Sequence, residues 1–318
     1  MRSMVLFALA VAAHAQSSAD NRVIKTDGAV REIAFSSNAE TLAGFCADGK
    51  VRVWDVASGK LLRTVTAGPM TRTLAFSPRG DLFIAGRPEK GPQVWNLQTG
   101  EAVRELPALA TRATELAYSP DASTLAVGGR DKTVRILDIS TGRERVKVAG
   151  GLGGTEAFAF SPDGKALVAA DNDTNIRVWS TRNGELLQLI EELPVTTFSL
   201  AFSPDGKYLA SGGVDRILYL WDARTWKLLR KIPGQPEMIA RVAFSPDSRL
   251  VVTGGFNDIS SREPVTILVR DVESGEVLQR MPSSHAVSAA AFSPDGKLIV
   301  TTNRDAIDLW RVSAHGQR

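Results

Sequence analysis

Apolar positions in this chain come in short runs separated by small polar clusters. From Val30 the sequence reads VREIAFS, then SNAE, TLAGFC, ADG, KVRVWDV, ASG and KLLRTVT. Each run has the length of a strand, and each gap holds residues that favour turns. In the SPDG version of the first gap, Pro presets its own backbone angle. Asp hydrogen-bonds its neighbours, and Gly tolerates positive φ. The pattern predicts four strands joined by hairpins, a β-meander. Runs such as FSLAF (198–202) and LYLW (218–221) are apolar at nearly every position. That suits sheets covered on both faces, as when each sheet stacks between two others.

The unit recurs. AFSPDGK stands at 159–165, 201–207 and 291–297, and relaxed copies begin at 34, 75, 117 and 243. The aromatic in each copy is Phe35, Phe76, Tyr118, Phe160, Phe202, Phe244 or Phe292, at steps of 41, 42, 42, 42, 42 and 48 residues. A second landmark follows each one: VRVWDV, PQVWNL, VRILDI, IRVWST, LYLWDA, ILVRDV and IDLWRV. A fixed period near forty residues signals a repeat architecture. The repeated SPDG is therefore a hairpin turn, and no chemistry is assigned to its Asp or Gly.

Segments such as CADGKVRVWDVASGKLLRTV (46–65) and LASGGVDRILYLWDARTWKLL (209–229) resemble the WD-repeat family, in an exported, bacterial-type form. The resemblance covers about 22–312 and implies an all-β, seven-bladed β-propeller with one four-stranded antiparallel sheet per blade. Three features depart from the family pattern. No Gly-His dipeptide occurs, although many family repeats carry one before the first strand. The family's loop Asp is present as Asp48, Asp131, Asp173, Asp215 and Asp305, without its usual His partner. In the sixth unit Arg270 stands where the Trp belongs, and extra residues precede it.

The chain ends complement each other. After IDLWRV only SAHGQR remains, too short for a further turn and strand, whereas NRVIKT (21–26) precedes the first unit without a local partner. Pairing the two closes the ring and removes two open edges. Before this strand lies MRSMVLFALAVAAHAQSSAD, with basic Arg2, an apolar run from Met4 to Ala13, and small residues at 13 and 15. These are the parts of a secretory signal peptide. The expected organisation is a signal at 1–15, a short linker at 16–20 and a single propeller at 21–318. The expected location is periplasmic or extracellular. No later segment is long and apolar enough to span a membrane.

Composition narrows the chemistry. The 318 residues carry 38 basic and 35 acidic side chains, a near-balance that argues against binding nucleic acid through a strong overall field. The single cysteine, Cys46, excludes an internal disulfide framework and reads as strand core. After signal removal only His285 and His315 remain, so no His pair or Cys–His set points to zinc, haem or copper. There is no G-x-S-x-G elbow and no P-loop. No catalytic residue, cofactor or metal site is assigned.

Binding is what remains. By family analogy, partners meet the face that carries the loops before the first strand and between the second and third. Those loops mix charges of both signs, which gives a protein partner specificity more than affinity. The candidate partner-binding residues are Arg72, Arg130 and Arg304 on this face, with Asp258, Arg262 and Glu263 in the lengthened sixth-unit loop. Arg270 and Trp226 complete the set. Trp226 stands where ASG, QTG and STG place Gly, and is a candidate interface anchor. Arg270 is expected to find a carboxylate, with Asp258 and Glu263 available, or to reach water, because an unpaired buried charge is costly. The resulting expectation is an exported, monomeric, non-enzymatic scaffold for a protein partner. The alternatives are a lactonase-like hydrolase, or a sugar- or peptide-binding propeller that uses the channel mouth.

Overall fold

The computed structural model describes residues 21–67, 73–86, 91–107, 113–149, 155–171, 174–191, 196–257 and 264–313. They form seven four-stranded antiparallel sheets. In chain order the blades span 30–66, 73–105, 113–149, 155–190, 197–232 and 238–283, and blade seven combines 289–311 with 21–25. The first strand of each blade is innermost and lies against the inner strands of both neighbours, closing a ring around a central channel.

The serine of the SPDG turn is the hub of the inner hairpin. In blade five the Ser203 hydroxyl donates to Asp205 (2.7 Å) and accepts from the Tyr208 N–H (2.9 Å). Asp205 also accepts from the Lys207 N–H (3.1 Å). Gly206 takes a φ of 72°, where a side chain is disfavoured. Ser161, Ser203 and Ser293 are all buried. One side-chain set thus satisfies a turn that would otherwise bury unpaired backbone groups, which explains the threefold recurrence of the same seven letters.

Burial is divided among seven apolar clusters, one at each blade–blade interface. Phe45, Phe83, Leu125, Leu167 and Leu209 are essentially without solvent contact. Cys46 is buried in the cluster between blades seven and one, and burial raises its thiol pKa.

The ring closes as the chain ends predict. Asn21–Lys25 pairs antiparallel with Ala306–Arg311, from Asn21 opposite Trp310 to Lys25 opposite Ala306. The Thr302 hydroxyl adds a bond to the Val30 carbonyl (2.8 Å), tying blade seven to blade one.

Candidate interaction surfaces

The inner strands shape the channel mouth through a repeated irregularity. In blades one, three, four, five and six the pairing with the second strand shifts by one residue. The extra residues are Arg31, Thr114, Glu156, Phe198 and Ala240. A bulge of this kind kinks a strand and re-aims a side chain, here at the end where the inner strands begin. The mouth encloses a cavity of about 340 Å³, whose lining includes Arg31, Glu32, Thr73, Thr114, Glu115, Arg241, Phe256 and Ser288.

Its charges face one another across the channel. Glu32 of blade one and Arg241 of blade six approach to 3.9 Å, within ion-pair range but beyond a hydrogen bond. Crowding by protein raises the Glu32 pKa, and Arg241 pulls it back. Arg241 also donates to the Ala240 carbonyl (2.8 Å). The Thr114 hydroxyl is buried without a hydrogen-bond partner among the described residues. Phe198 and Phe256 pack with ring centroids 5.8 Å apart. Phe256 is visible in the sequence as a loop aromatic. Phe198 reads as one more apolar residue of FSLAF until the bulge displaces it.

Three of the loop aspartates find partners on the strand that follows them, in place of histidine. Asp48 takes a forked pair of bonds from Arg52 (2.7 and 3.2 Å), and Asp131 takes the same from Arg135 (2.6 and 3.2 Å). Asp215 accepts from the Tyr219 hydroxyl (2.6 Å). Arg135 holds the Asp131 carboxyl down to about 2. Asp173 lies outside the described residues.

The other sequence-predicted residues do not converge on one site. Arg130 and Arg304 are exposed in loops of blades three and seven. Arg72, Asp258, Arg262 and Glu263 lie outside the described residues. Trp226 sits at the opposite end of the ring, half-buried, with φ of 59° in the slot held by glycine elsewhere. It meets Phe202 edge-on at 6.2 Å and packs on the cluster between blades four and five.

Arg270 requires a correction. It neither reaches water nor pairs directly with a carboxylate; it is 0% exposed. Its Nη1 donates to the Thr253 hydroxyl (2.9 Å) and to Gln235 Oε1 (3.3 Å), while Nε and Nη2 have no hydrogen-bond partner among the described residues. The Thr253 hydroxyl donates to the same Gln235 oxygen (2.8 Å), and Gln235 Nε2 donates to buried Glu237 (3.2 Å). Burial pulls the Arg270 pKa down to about 10, with repulsion from Arg280 adding to it. A surface role for Arg270 is therefore incompatible with its position. Gln235 was missed by sequence reasoning. Its signal is the Gly234–Gln235 dipeptide, which stands before the first strand where many family repeats carry Gly-His.

Among the described residues, no group of three or more His, Cys, Asp or Glu side chains is placed to hold a metal ion. No helix among them is long and apolar enough to cross a membrane.

Comparison with known proteins supports the architecture. Curated relatives share short stretches with this chain. The small ribosomal subunit protein RACK1z of Arabidopsis thaliana is 32% identical over 79 residues, 25% of this chain and 24% of the relative. RACK1 of Glycine max is 29% identical over 86 residues, 27% and 26% of the two chains. The mouse (Mus musculus) pre-mRNA-processing factor 17 is 28% identical over 93 residues, 27% of this chain and 16% of the relative. The chain thus spans about a quarter or less of these relatives' length. The profile described as WD domain, G-beta repeat matches residues 20–55, 103–138, 153–180, 192–222, 226–259 and 275–307. Most of blade two falls between matches; its strands are only four or five residues long, and its Trp95 indole N–H is buried without a partner among the described residues. With seven propeller blades and matches over more than half of its length, this chain belongs to the WD40 (WD domain, G-beta repeat) family.

Proposed function

We propose that this chain is an exported, monomeric, non-enzymatic scaffold that docks a segment of a protein partner at the channel mouth. The observation that carries this reading is the cross-channel arrangement of Glu32 and Arg241. At 3.9 Å each retains hydrogen-bonding capacity for a second charged group. A polypeptide segment bringing a carboxylate or a guanidinium satisfies one member of the pair and leaves the other close by. The Thr114 hydroxyl, without a hydrogen-bond partner among the described residues, supplies a polar contact, and Phe256 an apolar one. These are recognition groups: few, convergent and set in a concavity.

The names of the relatives agree with a role in assemblies, since they are called a ribosomal subunit protein and a pre-mRNA-processing factor. Export rests on the basic, apolar and small-residue order of the first fifteen residues. N-terminal sequencing of the exported protein should begin at Gln16, and an intact Met1 on a cytosolic product overturns it.

A photo-cross-linking residue in place of Ser288, at the mouth, should tag a protein partner in the native host. The same residue in place of Lys207, at the opposite end, should not. Arg241→Glu should abolish the tagging without lowering the melting temperature. Equal tagging from both positions, or tagging unaffected by Arg241→Glu, overturns the reading. The Phe198–Phe256 pair favours a second reading, in which the mouth holds a free sugar or peptide against the aromatic faces.

A further inference from the structure

The inner hairpins at the end of the ring opposite the mouth are not alike. Blades four, five and seven spell SPDGK, and in each the lysine folds onto the aspartate: Lys165 on Asp163 (3.5 Å), Lys207 on Asp205 (3.1 Å) and Lys297 on Asp295 (3.5 Å). Blade one reads SSNAE and blade two SPRGD. Glu40 and Asp81 thus stand where the three copies have lysine, and Arg79 stands where they have aspartate. The Ser77 hydroxyl follows the carboxylate and donates to Asp81 (2.7 Å), two residues beyond the position that Ser203 uses. Among the described residues, Glu40, Arg79 and Asp81 make no ion pair.

These two hairpins touch. Ser37 replaces the proline of the other blades and so keeps an N–H, which donates to the Arg79 carbonyl (3.2 Å). A side chain at Gly80 would run into the Phe35 carbonyl. Together the hairpins border a cavity of about 470 Å³ between blades one and two. Its other walls are the turn at Leu97 and Gln98, and Leu62 and Arg63 on the outer strand of blade one. Ala43, Val53, Leu62 and Leu97 give it an apolar lining. Leu62 is the extra residue of a bulge and is 54% exposed, although its neighbours in that lining are buried.

A matching cavity between blades six and seven, about 370 Å³, has no residue of an outer strand in its lining, and Lys297 already neutralises one of its aspartates. The cavity between blades one and two instead joins an apolar lining to charges of both signs. Glu40 takes one bond from Asn38 Nδ2 (2.6 Å), and Arg63 gives one from Nη1 to the Thr99 carbonyl (3.1 Å). Both keep further hydrogen-bonding capacity. An uncharged ligand leaves all these charges unmatched, and a ligand of one sign matches only half of them. A molecule that carries both signs close together, beside an apolar group, matches the whole lining. Walls on four sides suit a compact molecule rather than an extended chain, and the volume falls in the range of about 300–1,000 Å³ usual for small-ligand sites.

We propose that the cavity between blades one and two binds a free α-amino acid with a large apolar side chain. The side chain lies on Leu62, Val53 and Leu97. The ammonium meets the carboxylates of Asp81 and Glu40, and the carboxylate meets the guanidinium of Arg79. The two charges of an α-amino acid are one carbon apart, and Arg79 and Asp81 offer their opposites two residues apart on one hairpin. This site stands at the far end of the ring from the channel mouth and does not depend on the reading of the mouth.

The test is calorimetric titration of the full chain with L-phenylalanine and three analogues. These are 2-phenylethylamine, which lacks the carboxylate, 3-phenylpropionate, which lacks the ammonium, and N-acetyl-phenylalanine amide, which lacks both charges. Each analogue should bind about tenfold more weakly than phenylalanine or worse. Arg79→Asp with Asp81→Lys turns the hairpin of blade two into SPDGK, the sequence of three other blades, at unchanged net charge. It should keep the melting temperature and weaken phenylalanine binding about tenfold or more. The mirror exchange in blade five, Asp205→Arg with Lys207→Asp, should leave binding unchanged, and Leu62→Ser should weaken it about fivefold. A phenylalanine Kd above about 1 mM overturns the proposal, as does equal binding of either single-charge analogue. Equal binding of the uncharged analogue overturns it too, in favour of a segment of polypeptide. So does unchanged binding in the folded blade-two variant or in Leu62→Ser.

Discussion

Blades five and six are neighbours that break the repeat at different places, and their interiors show what the repeat requires. In blade five the Trp221 indole N–H donates to the Ser211 hydroxyl on the second strand (3.0 Å). Blade seven repeats this with Trp310 and Thr301 (3.0 Å). In blade six Arg270 occupies the same register, opposite Val251 as Trp221 lies opposite Leu209, and its Nη1 donates to Thr253 (2.9 Å). In blades five, six and seven the position therefore carries a donor that reaches a second-strand hydroxyl, and the aromatic ring is only one carrier of it. A guanidinium brings more donors and a charge, so blade six adds Gln235 and, behind it, Glu237. Two guanidinium nitrogens have no partner among the described residues even so.

The sharpest break comes from removing the shared acceptor. Thr253→Val keeps the shape but leaves Arg270 with one long bond to Gln235. Losing a hydrogen bond to a buried charge costs about 1.5–3 kcal/mol, and chemical denaturation should show a loss of that order. A loss under about 1 kcal/mol would mean that the hydroxyl does not anchor the charge.

The complementary change removes the charge itself. Arg270→Met replaces the guanidinium by a flexible apolar chain of similar reach. Because desolvation of the cation is then no longer required, the variant should be at least as stable as the parent, with a gain of about 1–2 kcal/mol in denaturant melts. In blade five, Ser211→Ala leaves only a neutral indole N–H unsatisfied and should cost about 1–2 kcal/mol. If Ser211→Ala were as damaging as Thr253→Val, charge would not be what separates the two blades.

Much of this was legible in the chain. Period, turn chemistry and strand length are local properties, so the seven blades and the closing strand could be read without coordinates. The sites were less legible because they depend on register. Phe198 is the extra residue of its bulge only because Thr197 pairs with Gly213 and Ser199 with Gly212, a shift that FSLAF does not announce. Gln235 meets Arg270 across 35 residues, and nothing in either neighbourhood links them. Trp226 was visible as a residue in a glycine slot, but whether its ring stood free or filled the crevice between two blades depended on the packing of both.

The smallest expected effect concerns the third-strand position two residues before the slot held by Leu137 in blade three, Trp221 in blade five and Arg270 in blade six. Blade three has Arg135 there, clamping Asp131; blade five has Tyr219, bonded to Asp215; blade six has Leu268. Hydrogen bonding to the Arg135 guanidinium holds the Asp131 pKa at about 2, below its unfolded value near 3.9. A depressed carboxyl pKa stabilises the fold above the unfolded value and loses that contribution as the pH falls through the folded one. The clamp should therefore act fully above about pH 4 and fade toward about pH 2. Asp131 is about one-third exposed, so solvent screening limits the contribution to under about 1 kcal/mol. Arg135→Leu copies blade six at this position. It should return the Asp131 titration, followed by NMR, toward the ordinary carboxyl range and flatten the acid limb of stability by the same small amount. If Asp131 still titrated near pH 2 in that variant, the clamp would lie in the turn backbone, and blades three and six would differ less than their side chains suggest.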